Sequence, residues 1–199
     1  MTAEKKIDEA QYFLDHLLSS SGKLEFELSA FVTSARSVFD HLLQDFASRF
    51  SLGTLTFLSA QTFREKAERL HNQSAIDFID WYEKEQTPLR GNNVYGFVFS
   101  LRDINIHRES LKQLLRITTT GPITVEAGTT VEIPLVFTPL GKPMKVEGSV
   151  RRGSEEVGRV EATATTAAYF TENQNNDVLT VCTAFLQAAK QFVTQAQSR

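Results

Sequence analysis

The stretch LLRITTTGPITVEAGTTVEIPLVF, residues 114–137, marks the point where the chain changes its hydrophobic period. Threonine, valine and isoleucine alternate there with polar residues, and glycine and proline interrupt the alternation. This composition is typical of β-strands joined by tight turns. Before this stretch, apolar residues recur every three or four positions, which is typical of helices. The stretch therefore divides the chain into a helical part and a part that contains strands.

On the N-terminal side, the apolar spacing predicts a bundle of four to five helices. The fourth helix opens with Ser74 and Asp77 at capping-box spacing, and Thr87-Pro88 is expected to end it. The predicted helices are Ile7–Leu17, Leu24 to about Ser51, Ser59 to about His71, Ser74 to about Glu85, and Val94 to about Arg116.

On the C-terminal side, the alternation predicts a small antiparallel β-meander and then a last helix. Strands are expected at about residues 122–127, 130–138, 144–152 and 157–170, with turns at LGKP and RGS. The helix is expected from Asp177 to about Gln197, and its apolar stripe needs a partner surface. The predicted fold class is α+β. Residues 1–116 form a helical bundle, and residues 117–199 form antiparallel strands plus a C-terminal helix that packs back on the bundle.

Composition excludes several classes of protein. The chain has 199 residues, of which 41% are hydrophobic, and this is enough to bury a core. It has no apolar run of about 20 residues and no secretory signal pattern, so neither a membrane span nor export is expected. One cysteine, Cys182, allows no disulfide within the chain, and a cytoplasmic location is expected. Signatures of serine hydrolases, zinc proteases and P-loop nucleotide-binding proteins do not occur, and no cofactor or metal is expected.

The charge is distributed unevenly along the chain. The formal net charge is -3, yet residues 88–116 hold five Lys and Arg against two Asp and Glu. Positive charge concentrated in one segment is typical of a site for an anionic ligand such as nucleic acid. The same segment contains LRDINIHRES, residues 101–110, in which Arg102 and His107 form the pattern R-x-x-x-x-H.

Together with the predicted bundle, this motif resembles the HEPN (higher eukaryote and prokaryote nucleotide-binding) domain family. Members are short helical bundles with R-x(4 to 6)-H near a late helix, often with a polar residue after the arginine, here Asp103. The resemblance covers about residues 4–116 and the C-terminal helix. It extends to the stretches AQYFLDHL (10–17), FELSAFVTSARSVFDHLL (26–43), DFIDWYEKE (77–85) and AAYFTENQNNDVLTVCTAFLQAAKQFV (167–193).

The resemblance implies metal-independent cleavage of RNA, in which a ribose 2'-OH attacks the adjacent phosphate and a cyclic phosphate forms. His107 would move protons near neutral pH, and Arg102 would stabilise the charge of the developing phosphorane. Asp103 would fix the tautomer of His107, and Asn105 would bind phosphate or ribose. RNA would also be bound by the basic residues Arg90, Arg108, Lys112 and Arg116. The family further implies a homodimer and a toxin–antitoxin role with an antitoxin-like protein partner.

Helix geometry adds a second argument for the homodimer. In an undistorted α-helix, Arg102 and His107 would point about 140° apart, so one helix could not aim both at one phosphate. Either the helix is distorted at this point, or two copies of the motif meet across a two-fold axis. The residues Phe97, Val98 and Phe99 beside the motif are then expected to lie near the interface.

Other interpretations of the same residues stay open. Arg36 with His41, and Arg64 with His71, also fit the loose pattern, and the motif at Arg102 can be a set of surface ion pairs. The chain would then be a noncatalytic HEPN-like binding or scaffold module. Two further features are expected to be structural: Cys182 as a packed thiol, and a solvated acidic helix face formed by Asp77, Asp80 and Glu83.

Overall fold

A computed structural model describes residues 2–19, 24–103, 111–119, 127–134, 138–170 and 173–199. Within these ranges, a helical region is followed by an antiparallel sheet and a C-terminal helix, which confirms the α+β class. The helices are α1 (Ala3–Ser19), α2 (Leu24–Arg49), α3 (Ala60–Arg69), α4 (Gln73–Arg90), a 3₁₀ helix (Gly96–Asp103) and α5 (Val178–Gln197). The strands are β1 (Leu111–Thr119), β2 (Thr129–Glu132), β3 (Met144–Arg152), β4 (Glu155–Phe170) and β5 (Asn173–Asp177).

The first two helices pack along one another through the apolar stripes that the sequence predicts. Ala10, Leu14 and Leu17 of α1 are buried, and α2 buries a longer stripe that continues the same core. The start of α1 is fixed by Asp45 of α2, whose Oδ2 accepts a hydrogen bond of 2.8 Å from the backbone N–H of Ala3. This bond satisfies one of the backbone donors that a helix start leaves without a partner inside the helix.

The ends of α4 differ from those expected. Its N-cap is Asn72, whose side chain accepts a hydrogen bond from the backbone N–H of Ala75, so the predicted capping box at Ser74 is wrong. The helix also continues past Pro88 and ends at Arg90. Proline lacks a backbone N–H, so Pro88 cannot donate the helical hydrogen bond to the carbonyl of Lys84, and the helix ends two residues later.

The sheet has the strand order β1-β4-β3-β2, and each strand runs antiparallel to its neighbours, with β5 pairing the end of β4. The predicted strand at 144–152 is confirmed, and the one at 157–170 begins two residues earlier, at Glu155. Gly153, with φ of 63°, is the first residue of the tight turn between β3 and β4. The predicted strand at 130–138 is confirmed only over β2, and residues 122–126 and 135–137 lie outside the described residues.

The predicted helix from Val94 to Arg116 is wrong. The chain forms the 3₁₀ helix up to Asp103, and β1 has already begun at Leu111. All nine residues of β1 pair with β4, from Leu111 opposite Phe170 to Thr119 opposite Ala162. Leu111 and Leu115 are four residues apart and fit a helical stripe equally well, so the pairing with β4 decides the conformation.

The last helix packs back on the body, as predicted. Asp177 caps α5 through its side chain, which accepts a hydrogen bond of 2.9 Å from the backbone N–H of Thr180. Phe185 and Phe192 of the predicted stripe are buried in the same core as α1 and α2. Phe170 at the end of β4 belongs to that core as well, so the sheet and the helices share it. None of the helices described is long and apolar enough to cross a membrane.

Candidate functional site

The backbone of Arg102 and Asp103 ends the 3₁₀ helix, and the rest of that helix is anchored in the core. Val98 and Leu101 are 1% and 3% exposed. The ring of Phe99 lies 5.1 Å from that of Phe39 in α2 and 5.2 Å from that of Phe185 in α5. The segment that leads into the R-x-x-x-x-H motif is therefore held between two helices.

The expectation that Phe97, Val98 and Phe99 lie near a dimer interface does not match their packing. Val98 and Phe99 are buried inside the chain, and Phe97 packs edge to face on Phe170 with ring centroids 5.1 Å apart. The core of a single chain covers this apolar surface, so these residues no longer support a dimer interface beside the motif.

A polar clamp holds the turn before the 3₁₀ helix. Asn92 Oδ1 accepts hydrogen bonds from the backbone N–H groups of Val94 (2.8 Å) and Tyr95 (3.3 Å). Asn173, which is 9% exposed, donates through its side-chain amide to the carbonyl oxygens of Asn93 (3.3 Å) and Val94 (3.0 Å). Asn173 lies in the polar stretch TENQNND, residues 171–177, which leads into the last helix. No local sequence pattern predicts its long-range contact.

Arg90 is the one predicted RNA-binding residue whose side-chain contacts the structure describes. Its guanidinium carbon lies 5.1 Å from the centroid of the Phe99 ring, and its Nε donates to Gln86 Oε1 at 3.1 Å. Arg90 is also exposed to solvent. The structure thus brings this cation against Phe99 of the 3₁₀ helix, and Phe99 is three residues before Arg102 in the chain.

For the other predicted site residues, the structure describes at most the position in the backbone. Asn105, His107 and Arg108 lie outside the described residues. Lys112 and Arg116 belong to β1, where the strand register sets them opposite Tyr169 and Thr165 of β4. The prediction that the motif lies within a long α-helix is wrong, because Arg102 lies in a 3₁₀ helix and a strand begins at Leu111. The angle of about 140° between Arg102 and His107, which assumed a continuous α-helix, therefore no longer supports a homodimer.

The alternative arginine and histidine pairs lie on other elements. Arg36 and His41 are both in α2. Arg64 of α3 donates hydrogen bonds to Asp80 (2.7 Å) and Glu83 (2.6 Å) of α4, and these bonds raise the pKa of its guanidinium above the ordinary value. Arg64 is therefore engaged in a structural link between two helices.

The acidic face of α4, formed by Asp77, Asp80 and Glu83, has hydrogen-bond partners on α3 and on α4 itself. Asp80 and Glu83 hold Arg64, and Asp77 accepts a hydrogen bond of 2.8 Å from the side chain of Gln73. Among the residues that the structure describes, no group of three or more His, Cys, Asp or Glu could hold a metal ion.

Cys182 is buried in α5, and burial followed by the charge of Asp177 raises the pKa of its thiol well above the ordinary value. A raised pKa leaves less of the reactive thiolate at a given pH. We expect the native protein to react negligibly with Ellman's reagent at pH 8, and the protein in guanidinium chloride to release one equivalent. Rapid reaction of the native protein would contradict the packed position of Cys182.

Comparison of the chain with protein-family models, with curated proteins and with solved structures found no match.

Proposed function

We propose that the protein is a HEPN-like, metal-independent endoribonuclease whose catalytic residues are Arg102 and His107. The observation that carries this proposal is that the motif begins at the end of a 3₁₀ helix and not within the predicted α-helix. Arg102 lies in a 3₁₀ helix that ends at Asp103, and β1 begins at Leu111. The angular separation of about 140° that a continuous α-helix would impose on Arg102 and His107 therefore does not apply.

The anchoring of the 3₁₀ helix and the position of Arg90 support the same proposal. A site that stabilises a developing phosphorane needs fixed positive charge, and a rigid backbone lowers the cost of holding it in place. The clamp at Asn173 and the packing of Phe99 fix the backbone before Arg102. Arg90 lies against that helix and adds a second cation.

The proposed reaction is a transesterification within the RNA chain. His107 accepts the proton of the ribose 2'-OH, whose oxygen attacks the adjacent phosphorus. The bond between phosphorus and the 5'-oxygen of the next nucleotide breaks, that oxygen takes the proton from His107, and a 2',3'-cyclic phosphate remains. Arg102 stabilises the charged phosphorane, Asp103 orients the imidazole, and Asn105 binds phosphate or ribose.

The proposal also includes the oligomeric state, the protein partner and the cellular location of the enzyme. A homodimer, an antitoxin-like protein partner and a cytoplasmic location follow from the resemblance to the HEPN family. The basic residues Arg90, Arg108, Lys112 and Arg116 are proposed to neutralise RNA phosphates, because phosphate neutralisation supplies most of the affinity of nonspecific RNA binding.

The purified protein is expected to cleave a mixed RNA pool in the presence of EDTA and to leave 2',3'-cyclic phosphate ends. Gel electrophoresis shows the cleavage, and mass spectrometry of the fragments identifies the ends. Intact RNA after hours of incubation, or activity that EDTA abolishes, would contradict the proposed mechanism.

A noncatalytic binding or scaffold module is the second candidate function. The observation that favours it is the first part of β4: none of the residues from Glu155 to Glu161 is buried. This end of the sheet is open to solvent and available to a partner. If RNA stays intact in the cleavage assay, this interpretation replaces the enzyme.

A further inference from the structure

A line of hydrogen bonds runs along α4 and ends at Arg90. The hydroxyl of Tyr82 donates to the backbone carbonyl of Phe39 in α2 at 3.4 Å. The side-chain amide of Gln86 donates to the Tyr82 oxygen at 3.1 Å, and its Oε1 accepts from Nε of Arg90 at 3.1 Å. Tyr82, Gln86 and Arg90 are four positions apart, so each is a neighbour of the next on the helix surface. We name these three bonds the Arg90 support.

The direction of the Arg90 support is set at its buried end. The carbonyl of Phe39 can only accept, so the Tyr82 hydroxyl donates to it and accepts from the amide NH₂ of Gln86. The amide oxygen of Gln86 is then the atom that faces Arg90. Burial, followed by the charge of Asp40, raises the pKa of Tyr82 above the ordinary value. The hydroxyl therefore keeps its proton around neutral pH, and the direction of the bonds stays the same.

Two contacts with the 3₁₀ helix also hold Arg90. Its guanidinium carbon lies 5.1 Å from the centroid of the Phe99 ring. A Cβ atom on Gly96 would fall on the carbonyl oxygen of Arg90 and 3.0 Å from its carbonyl carbon. Only glycine allows so close an approach, because backbone atoms cannot turn aside as the end of a side chain can. Arg90 is thus fixed through its backbone by Gly96 and through its side chain by Gln86 and Phe99.

The terminal nitrogens of this guanidinium face no protein acceptor among the residues that the structure describes. Arg90 is exposed, and within those residues it donates one hydrogen bond, through Nε, and forms no ion pair. The acidic charges that act on the neighbouring Tyr82 are those of Asp40 and Glu83, and Glu83 is paired with Arg64. Nη1 and Nη2 present their N–H groups side by side, which matches two oxygens of one phosphate.

The 3₁₀ helix relates this guanidinium to the motif. Such a helix has three residues per turn and rises about 2 Å per residue, so position 102 lies about 6 Å beyond position 99 on the same side of the helix. Phe99 is the residue over which the Arg90 guanidinium lies. The cation is therefore next to the backbone position of Arg102.

We propose that Tyr82 and Gln86 are positioning residues that hold Arg90, so that its Nη1 and Nη2 bind one RNA phosphate beside the scissile phosphate. The inference rests on the proposed function, because it concerns the substrate of the same site. A free arginine side chain loses conformational entropy when it binds a phosphate, and fixing it beforehand lowers that cost. Gln86 therefore adds affinity without touching RNA, and Tyr82 acts through Gln86.

The test measures affinity for a ligand that the proposed reaction cannot cleave. A fluorescein-labelled oligonucleotide of about ten nucleotides, with every 2'-OH methylated, is titrated with the full-length protein, and anisotropy is recorded at several salt concentrations. Arg90→Gln is expected to weaken binding by about 5- to 20-fold, since it removes a charged hydrogen-bond donor. It should also lower the slope of log affinity against log salt by about 0.7, the value for one phosphate of a single strand.

Arg49→Gln is the matched control for the loss of charge. Arg49 is an exposed arginine of α2 whose guanidinium carbon lies 5.2 Å from the centroid of the Phe46 ring, so it has the same kind of ring contact as Arg90. It is ten residues from Phe39, about 15 Å along the helix. Because salt screens exposed charges over such a distance, this variant should bind like the wild type.

Two substitutions of Gln86 separate position from charge. Gln86→Leu keeps the charge of Arg90 and removes its hydrogen bond, so binding is expected to weaken by about 3- to 10-fold while the salt slope stays the same. Gln86→Glu keeps an oxygen acceptor for Nε but places a negative charge beside the guanidinium. Both the affinity and the salt slope are therefore expected to fall.

Tyr82→Phe tests whether Tyr82 acts through Gln86. The substitution removes the hydroxyl and keeps the buried ring. It is expected to weaken binding by about 2- to 3-fold in the otherwise wild-type protein and to have no effect in Gln86→Leu, since the two residues belong to one line of bonds. A general loss of stability would act equally in both backgrounds. Circular dichroism melting verifies that each variant is folded.

Four results would overturn the inference: no binding by the wild type, equal binding by Arg90→Gln and Arg49→Gln, wild-type affinity in Gln86→Leu, or equal effects of Tyr82→Phe in both backgrounds. If Tyr82→Phe does not fold, the two Gln86 variants decide the outcome. The methylated ligand has no attacking hydroxyl, so the expected binding pattern without cleavage of ordinary RNA would refute only the catalytic proposal. Cleavage of ordinary RNA with binding that the Arg90 and Gln86 variants leave unchanged would refute only the positioning of Arg90.

Discussion

Replacing His107 with alanine is expected to lower the rate of RNA cleavage by about 100-fold or more, because the reaction loses its proton carrier. Arg102→Ala is expected to produce a loss of similar size, since it removes the charge that stabilises the phosphorane. Both rates are measured under single-turnover conditions in EDTA. Asp103→Asn should cost less than His107→Ala, because an orienting residue assists the proton carrier without replacing it.

Two controls accompany this experiment. His16→Ala removes a partly buried histidine of α1 that lies outside the motif, and it is expected to keep the activity of the wild type. Arg102→Lys keeps the charge but loses the planar fork of the guanidinium, so an intermediate rate is expected. If His107→Ala cleaves RNA as fast as the wild type does, the motif is incidental and the activity belongs to other residues.

The parts of the fold that could be predicted from the sequence are those in which local pattern and tertiary packing agree. The stripe of α5 faces the core at Phe185 and Phe192, where the helical spacing places it. β3 begins just after the predicted turn LGKP and ends just before the predicted turn RGS, in which Gly153 has a positive φ. In such segments the local preference and the final contacts require the same conformation.

The segment after the 3₁₀ helix shows why the rest could not be predicted. Leu111 and Leu115 fit a helical stripe and a strand alike, and the choice depends on pairing with β4, which lies about 50 residues further along the chain. The same long-range contact sets Lys112 opposite Tyr169.

The wrong prediction of a helix from Val94 to Arg116 also changes the arguments for the predicted site. The position of Arg90 in a basic segment predicts that it lies near the motif, and its guanidinium lies over the ring of Phe99 in the 3₁₀ helix that leads to Arg102. The argument for a homodimer from the sequence depends partly on a continuous helix and on the apolar residues beside the motif. The chain forms a 3₁₀ helix there and buries Val98 and Phe99 in its own core, so the dimer now rests on the family resemblance alone.

Phe185→Ala is expected to lower the free energy of unfolding by about 3–5 kcal/mol, as large truncations in a packed core do. Phe185 is 0% exposed, and its ring lies 5.8 Å from that of Tyr95 and 5.2 Å from that of Phe99. The ring of Phe39 in α2 is 6.1 Å away. The substitution therefore leaves a cavity under the 3₁₀ helix at the point where α2, α5 and the segment before Arg102 meet.

The magnitude is measured by urea unfolding followed by circular dichroism, with two reference variants. Phe185→Leu fills most of the cavity and should cost clearly less than alanine, since the loss grows with the volume left empty. Phe26→Ala removes an aromatic ring that is 70% exposed on α2, and a change within about 0.5 kcal/mol is expected. A loss below about 1 kcal/mol in Phe185→Ala would mean that the 3₁₀ helix is not packed on α5 in solution. Such a helix could not hold Arg102 in a fixed position, and the proposed site would lose its anchor.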